Sequence, residues 1–381
     1  MRKSCSVAGL RTFALLVTFS TAAVYLFLWR LSIIPGPQGT KIVDVRCLQL
    51  PPGNDTLLPP PYPMHKLAPS DRTTLIDLKD FKFQLNNFPC NESSPLLLLV
   101  LVHSAPSNVE KRRTIRETWG SGFHSLLFLL GSVESRDEQA ALEEENRTYR
   151  DIVQGSFLDS YRNLTYKHVM ALKWTVYHCP GVRYLLKTDD DVFVNPPALL
   201  DFLSQDVPPL DGRRPILCQN VSSRSAPRNP KHKWRVTPQE YPGEKYPPYC
   251  KGWIVLYSSE VVFLLYREAQ RTPYFWVDDV HLTGVIAARV NLTQTSLIKL
   301  ALSRKQVNQL VRSKEIGSKI GVFLFGSSQM SPPEIRLLWQ LVQNRWPART
   351  LAALQEKTLK CLHVKSHSYL SPVHTLQVAK E

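Results

Sequence analysis

Three consecutive carboxylates, Asp189, Asp190 and Asp191, stand between Val182-Arg183-Tyr184-Leu185-Leu186 and Val192-Phe193-Val194-Asn195. Adjacent carboxylates repel one another unless water or a cation relieves the charge. The apolar run before them reads as a short buried strand, which puts the acids at a strand end. There they can hold a hard divalent ion such as Mg²⁺ or Mn²⁺, which in turn can grip a diphosphate. A solvated acidic turn is the plainer alternative. A second acidic pair, Asp278-Asp279, follows Phe275-Trp276-Val277 and opens a helix expected over 280–290. Acids at a helix start complement its dipole and can simply cap it. A carboxylate beside aromatic rings can instead serve as a general base next to a sugar.

These acids need a scaffold, and the chain from residue 95 onward supplies one. Leu96 to His103 and Leu126 to Gly131 are apolar without polar alternation, as in parallel strands covered on both faces. Between and after them, segments 109–119 and 137–149 are helix-compatible. Leu164 to His178 is amphipathic, with Val169, Leu172 and Val176 on one face. Strand and helix thus alternate up to Asp189, which indicates an α/β domain with a mostly parallel central sheet. Ligands in such sheets bind beyond the carboxyl ends of the strands, where the aspartates fall.

Outside that body the composition changes. Thr12 to Trp29 carries no charge and is flanked by Arg11 and Arg30, long enough to cross a bilayer as a helix. Basic residues on its N-terminal side favour keeping that side in the cytosol. The expected organisation is a cytosolic tail (1–11), a transmembrane signal-anchor (12–30), a Pro-rich stem (31–94), a body (95–361) and a C-terminal tail (362–381). Six N-x-S/T sequons, at Asn54, Asn91, Asn146, Asn163, Asn220 and Asn291, agree with a lumenal body. So do six cysteines beyond Cys5, which permit 15 pairings that sequence does not choose among. The net charge of +15 is scattered without a basic helix or aromatic-basic stripe, so nucleic acid is excluded as a partner.

Several motifs in order resemble one family. They are Arg112-Arg113-Thr114-Ile115-Arg116-Glu117-Thr118-Trp119-Gly120, Phe157-Leu158-Asp159-Ser160-Tyr161-Arg162-Asn163-Leu164-Thr165-Tyr166-Lys167, Lys187 to Asn195, Tyr246-Pro247-Pro248-Tyr249-Cys250-Lys251-Gly252 and Asp278-Asp279-Val280. The set is similar to the β-1,3-galactosyl- and N-acetylglucosaminyl-transferases, Golgi enzymes related to Fringe. The resemblance implies a GT-A fold, a UDP-galactose or UDP-N-acetylglucosamine donor and a divalent metal, usually Mn²⁺. It implies a glycan acceptor on protein or lipid, a β-1,3 product formed with inversion, and a single-pass type II protein of the Golgi membrane. Asp191 would contact the metal, Asp189 and Asp190 would hold ribose or position the metal through water, and Asp279 would be the base. Asp278 and Trp253 are then candidates for the acceptor side, Trp253 by stacking on a sugar.

Arg112 and Arg116, four apart on one helix face, can pair with donor phosphate or pin the helix to neighbouring acids. Lys187 can touch the diphosphate or balance the three carboxylates. Trp119 and Trp174 read as core anchors. Three positions depart from the family pattern. Ile254 stands where a second glycine is common and would narrow that wall. An extra residue separates Val280 from Gly284. Ser328 occupies the place of a metal-binding histidine. An inactive, transferase-like binding or scaffolding protein is therefore the alternative to an enzyme.

Overall fold

The computed structural model describes residues 62–90, 96–204, 215–316 and 320–345. The segment Thr12–Trp29, the stem up to residue 61, Asn54, Asn91 and the tail from residue 346 lie outside the described residues. Among those described, no helix is long and apolar enough to cross a membrane.

The strands are β1 (Phe83–Leu85), β2 (Leu96–His103), β3 (Leu126–Ser132), β4 (Ile152–Leu158), β5 (Val182–Asp189), β6 (Pro215–Val221), β7 (Arg224–Ser225), β8 (Lys245–Tyr246), β9 (Tyr249–Ser258) and β10 (Thr293–Ser296). Eight of them form one sheet in the order β1-β4-β3-β2-β5-β9-β6-β10, and β7 pairs with β8 separately. β4, β3, β2 and β5 run parallel, as do β6 and β10, whereas β1 and β9 run against their neighbours. The expected mostly parallel α/β sheet is what forms.

The helices are α1 (Val109–Glu117), α2 (Arg136–Tyr149), α3 (Leu164–His178), α4 (Pro196–Ser204) and α5 (Ser259–Ala269). Next comes α6, which is α-helical over Asp278–Val280, π-helical over His281–Ile286 and α-helical again over Ala287–Arg289. α7 (Arg304–Ser313) and α8 (Pro332–Arg345) follow. Two apolar clusters cover the two faces of the sheet. Leu98, Val100 and Val102 of β2 join Ile115 of α1, Val307 of α7 and Leu338 of α8 in one cluster. Leu99 and Leu101 join Val169 and Leu172 of α3 and Val262 of α5 in the other. With both faces buried, every residue of the strand must be apolar, and this explains the unbroken Leu-Val run. Trp119 and Trp174 are fully buried anchors, one in each cluster.

Two expectations need correction. The residues from 62 to 90, read as stem, belong to the body. Tyr62, Leu75 and Phe81 are buried in the second cluster, Phe83–Leu85 pairs with β4, and Cys90 is bonded to Cys179. Helix α3, read as amphipathic, is buried all round from Thr165 to Val176. Its polar side chains face inward because each has a partner. Lys167 Nζ donates to Asp159 Oδ2 at 2.7 Å, His168 binds Asp278 and Tyr257, and Lys173 binds the Asp71 and Thr74 carbonyls.

Candidate active site

The parallel strands β2, β3, β4 and β5 end along one edge, and a cleft of ≈ 690 Å³ opens beyond them. His103 and Ser104 follow β2, Ser132 ends β3, Asp159 follows β4, and Asp189 to Asp191 leave β5. In register, His103 lies opposite Asp189, so the first acid of the triple is fixed against the end of β2.

The three carboxylates have different surroundings. Asp190 is buried, and both its oxygens are engaged. Oδ2 accepts from Ser104 Oγ at 2.7 Å and Asn108 Nδ2 at 2.8 Å, and Oδ1 accepts from Lys111 Nζ at 2.9 Å. Its geometry ties β5 to the start of α1 at the floor of the cleft. Asp189 accepts from Lys187 Nζ at 2.7 Å, and the same ammonium donates to the Gly252 carbonyl at 2.6 Å. Lys187 is buried and so balances the acids from beneath the cleft, without reaching a diphosphate in it. Asp191 accepts from the Gln329 backbone N–H, and its own carbonyl accepts from Met330 N at 2.8 Å. Burial pushes the Asp191 carboxyl up, and Asp189 and Asp190 add to this against Lys111.

A cation held here would relieve that repulsion, so the charge of the site suits a divalent ion. The donor set is thin. Among the described residues no group of three or more His, Cys, Asp or Glu side chains is placed to hold a metal. Asp191, with Asp189 at its edge, is what the protein offers, leaving most positions to substrate oxygens and water. Ser328 belongs to the segment that meets Asp191 through Gln329 and Met330, so the expected departure from histidine falls beside Asp191. His281 offers no replacement, being buried against Phe275.

The second acidic pair meets the first around Gly252. A Cβ there would lie 3.5 Å from Asp279 Cβ, 3.7 Å from Lys187 Nζ and 3.8 Å from Asp278 Oδ2. Tyr257 O–H donates to His168 Nε2 at 2.9 Å, and His168 Nδ1 in turn faces Asp278 Oδ2 at 3.1 Å. Burial lowers the His168 pKa, so the ring is neutral, and donating from Nδ1 satisfies the whole chain. Burial alone would raise Asp278, but the His168 hydrogen bond and the Lys187 charge hold it below the usual carboxylate range. Asp279 goes the other way. Burial and the Asp278 charge push it up to about 7, against hydrogen bonds from the Val280 and Gly252 N–H groups. Two neighbouring carboxyls thus have separated roles, one fixed as an anion and one poised to exchange a proton near neutral pH. After Val280 the helix takes a π-helical turn, His281–Ile286, a common device at functional sites. Thr283 in that turn donates to the Asp279 carbonyl at 2.5 Å and accepts from Cys250 N at 2.8 Å, anchoring the acid pair to β9.

Other expected site residues are placed differently. Arg112 is fully buried and grips Glu145 with two nitrogens, at 2.8 and 2.6 Å, while also donating to the Ala105 carbonyl at 2.6 Å. Arg116 binds Asp151 and Glu145 and lies over the Tyr149 ring at 4.0 Å. Both are therefore helix-pinning residues, not phosphate ligands, because their donors are already engaged by carboxylates. Trp253 is buried in the core with its indole N–H on Gln219 Oε1 at 2.8 Å, so no open face remains for stacking. Ile254 is a core residue facing Thr188 in the ladder, not a wall of the cleft.

Ser104, Asn108, Lys111 and His168, which hold Asp190 and Asp278, were not singled out from sequence. The signal that was present is polar residues at positions where periodicity demands apolar ones, as with Lys167 and His168 in α3. Of the sequons described, Asn220 and Asn291 are exposed. The Asn163 amide donates to the Leu158 carbonyl, and Asn146 Oδ1 accepts from Asn87. Cys218 pairs with Cys250, next to the site.

Comparison with known proteins adds to this geometry. A family model described as galactosyltransferase matches residues 110–297, a span that contains both acidic sites. β-1,3-Galactosyltransferase 5 of Gorilla gorilla gorilla is 31% identical over 239 residues, covering 61% of this chain and 78% of that one. Human β-1,3-galactosyltransferase 2 is 32% identical over 302 residues, covering 75% and 68%. Mouse β-1,3-galactosyltransferase 4 is 32% identical over 300 residues, covering 70% and 78%.

Proposed function

This chain belongs to the galactosyltransferase family, and from that premise we propose that it is an inverting β-1,3-galactosyltransferase using UDP-galactose and a glycan acceptor on protein or lipid. The names of its relatives favour galactose over N-acetylglucosamine as the sugar moved. The observation that carries the reading is the position of Asp279 beside Gly252 and Lys187, with its neighbour Asp278 engaged by His168 at 3.1 Å. In the proposed step the acceptor oxygen bonds to the anomeric carbon as the carbon–oxygen bond to diphosphate breaks. The electron pair leaves with UDP, and the acceptor proton passes to Asp279. Asp278, held as an anion by His168, keeps the pair's second proton out of the site. Attack opposite to the leaving group inverts the α-linked donor to a β product. A divalent cation, Mn²⁺ by preference, bound at Asp191 and the edge of Asp189 would neutralise the departing diphosphate.

We further place the protein in the Golgi membrane, anchored by Thr12–Trp29 with its body lumenal; the hydropathy and sequons support this. The full-length protein should transfer sugar when given acceptors, Mn²⁺ and either UDP-galactose or UDP-N-acetylglucosamine. Transfer from UDP-galactose in excess is the expected result. Preference for UDP-N-acetylglucosamine would overturn the donor assignment. Absence of both transfer and donor hydrolysis would favour the non-catalytic alternative that Ser328 keeps open.

A further inference from the structure

Single exposed apolar side chains are ordinary, but adjoining exposed rings form a patch of the kind that marks binding sites. Tyr161 is 47% exposed and Trp234 is 46% exposed, and they are joined to each other, Trp234 Nε1 donating to Tyr161 Oη at 2.5 Å. They come from distant parts of the chain: Tyr161 from the turn before α3, Trp234 from the long connection between β7 and β8. Tyr161 lines the cleft with Asp189, Asp190 and Asp191, and its ring centroid lies 6.3 Å from that of Trp276, just before the acid pair. Burial raises the Tyr161 phenol, against the Trp234 hydrogen bond, and the charges of Asp278, Asp279 and Asp189 raise it further. Tyr161 therefore lies close to both acidic sites, and Trp234 extends its ring surface outward.

The surface around them is cationic. Lys233 Nζ lies 4.7 Å from the Tyr161 centroid and 5.4 Å from that of Trp234. Lys231 and Arg235 flank it, both exposed, and neither has a carboxylate partner among the described residues; the exposed His232 ring accepts from the Trp234 backbone N–H at Nδ1. The carboxylates facing this region are those of the cleft, Asp189, Asp278 and Asp279, together with Glu240, already bound by Arg162 at 2.6 Å.

We propose that Tyr161 and Trp234 form the acceptor platform, and that Lys233 and its basic neighbours select a glycan carrying a sulfate or carboxylate close to the attacked sugar. The proposal rests on the transferase reading above and names its acceptor class. Aromatic faces stack on the apolar face of a sugar ring, and an exposed ammonium beside the rings can meet an anion carried by that sugar. The attraction is between exposed charges and must weaken with salt.

Binding separates this proposal from the reaction itself. Calorimetry with full-length protein and UDP would compare N-acetyllactosamine, its 6-O-sulfated form, and a disaccharide ending in glucuronic acid. The wild type should bind at least one acidic probe about tenfold more tightly than the neutral one, equivalent to roughly 1.4 kcal/mol. Raising the salt concentration should erase the difference. Trp234→Ala should weaken all probes, and Lys233→Ala should remove the acidic preference while leaving neutral binding. Both residues are exposed, so unchanged thermal unfolding should accompany both effects. Sulfate and carboxylate arms tell the two anions apart. Equal binding of neutral and acidic probes, or wild-type binding by Trp234→Ala, would overturn the proposal. Lack of sugar transfer with acidic binding intact would instead overturn the enzymatic reading alone.

Discussion

Asp278 and Asp279 are adjacent in the chain, yet His168 reaches the first while the backbone N–H groups of Val280 and Gly252 reach the second. That asymmetry separates their protonation and has two measurable consequences. Transfer needs Asp279 ionised, so its rate should climb as pH rises through about 7 and level off above, provided donor and metal are saturating. A flat profile from pH 5 to 8 would contradict the assignment. The same shift acts on stability. Because the folded state holds the Asp279 proton more tightly than the unfolded chain (pKa about 3.9), ionisation at high pH disfavours folding. Asp279→Asn should therefore raise the unfolding temperature at pH 8, with the gain vanishing near pH 4. No gain at pH 8 would mean the carboxylate is already compensated. Sequence made Asp279 and Asp191 legible because acids at a strand end and a helix start are conspicuous. It left open whether Arg112 and Arg116 meet phosphate or pin their helix, and it did not show the engagement of Asp190, since the partners Glu145, Asp151 and Ser104 are set by tertiary contact.

Helix α3 shows why an element can be right in extent and wrong in character. Its bounds were legible from Leu164 to His178, but its inward-facing lysines and histidine made a buried helix look amphipathic. Toward the cleft, Lys167 and His168 hold Asp159 and Asp278; on its far part, Lys173 holds the segment around Asp71. Asp71 is buried and accepts from Tyr177 at 2.7 Å, Tyr266 at 2.5 Å and Gln270 at 2.9 Å. The proline-rich composition up to Pro89 concealed this segment, because a few apolar residues (Tyr62, Leu75, Phe81) suffice to dock it. Asp71→Ala leaves Lys173 buried without its charge partner, and such losses cost about 3–5 kcal/mol. Denaturant unfolding should register a loss of that order, and a loss below about 1 kcal/mol would show that the docked segment contributes little.

At the scale of the whole molecule, β2, β3 and β5 and the helices between them were legible as alternating apolar and helix-compatible segments, whereas β1 and β4 were not. Beyond Asn195 the fold was not legible: β9 enters antiparallel between β5 and β6, a pairing that periodicity cannot specify. Surface chemistry follows from the same packing. In secretory cells, glycan should be found on exposed Asn220 and Asn291, and not on Asn163, whose amide nitrogen donates to the Leu158 carbonyl. Full occupancy at Asn163 in folded protein would refute that account. The most direct test of the central claim is Asp279→Asn, with UDP-galactose binding and sugar transfer measured on the same preparation. The account predicts unchanged donor affinity with transfer reduced about 10²–10⁴-fold. Transfer close to wild type by the folded variant would contradict it.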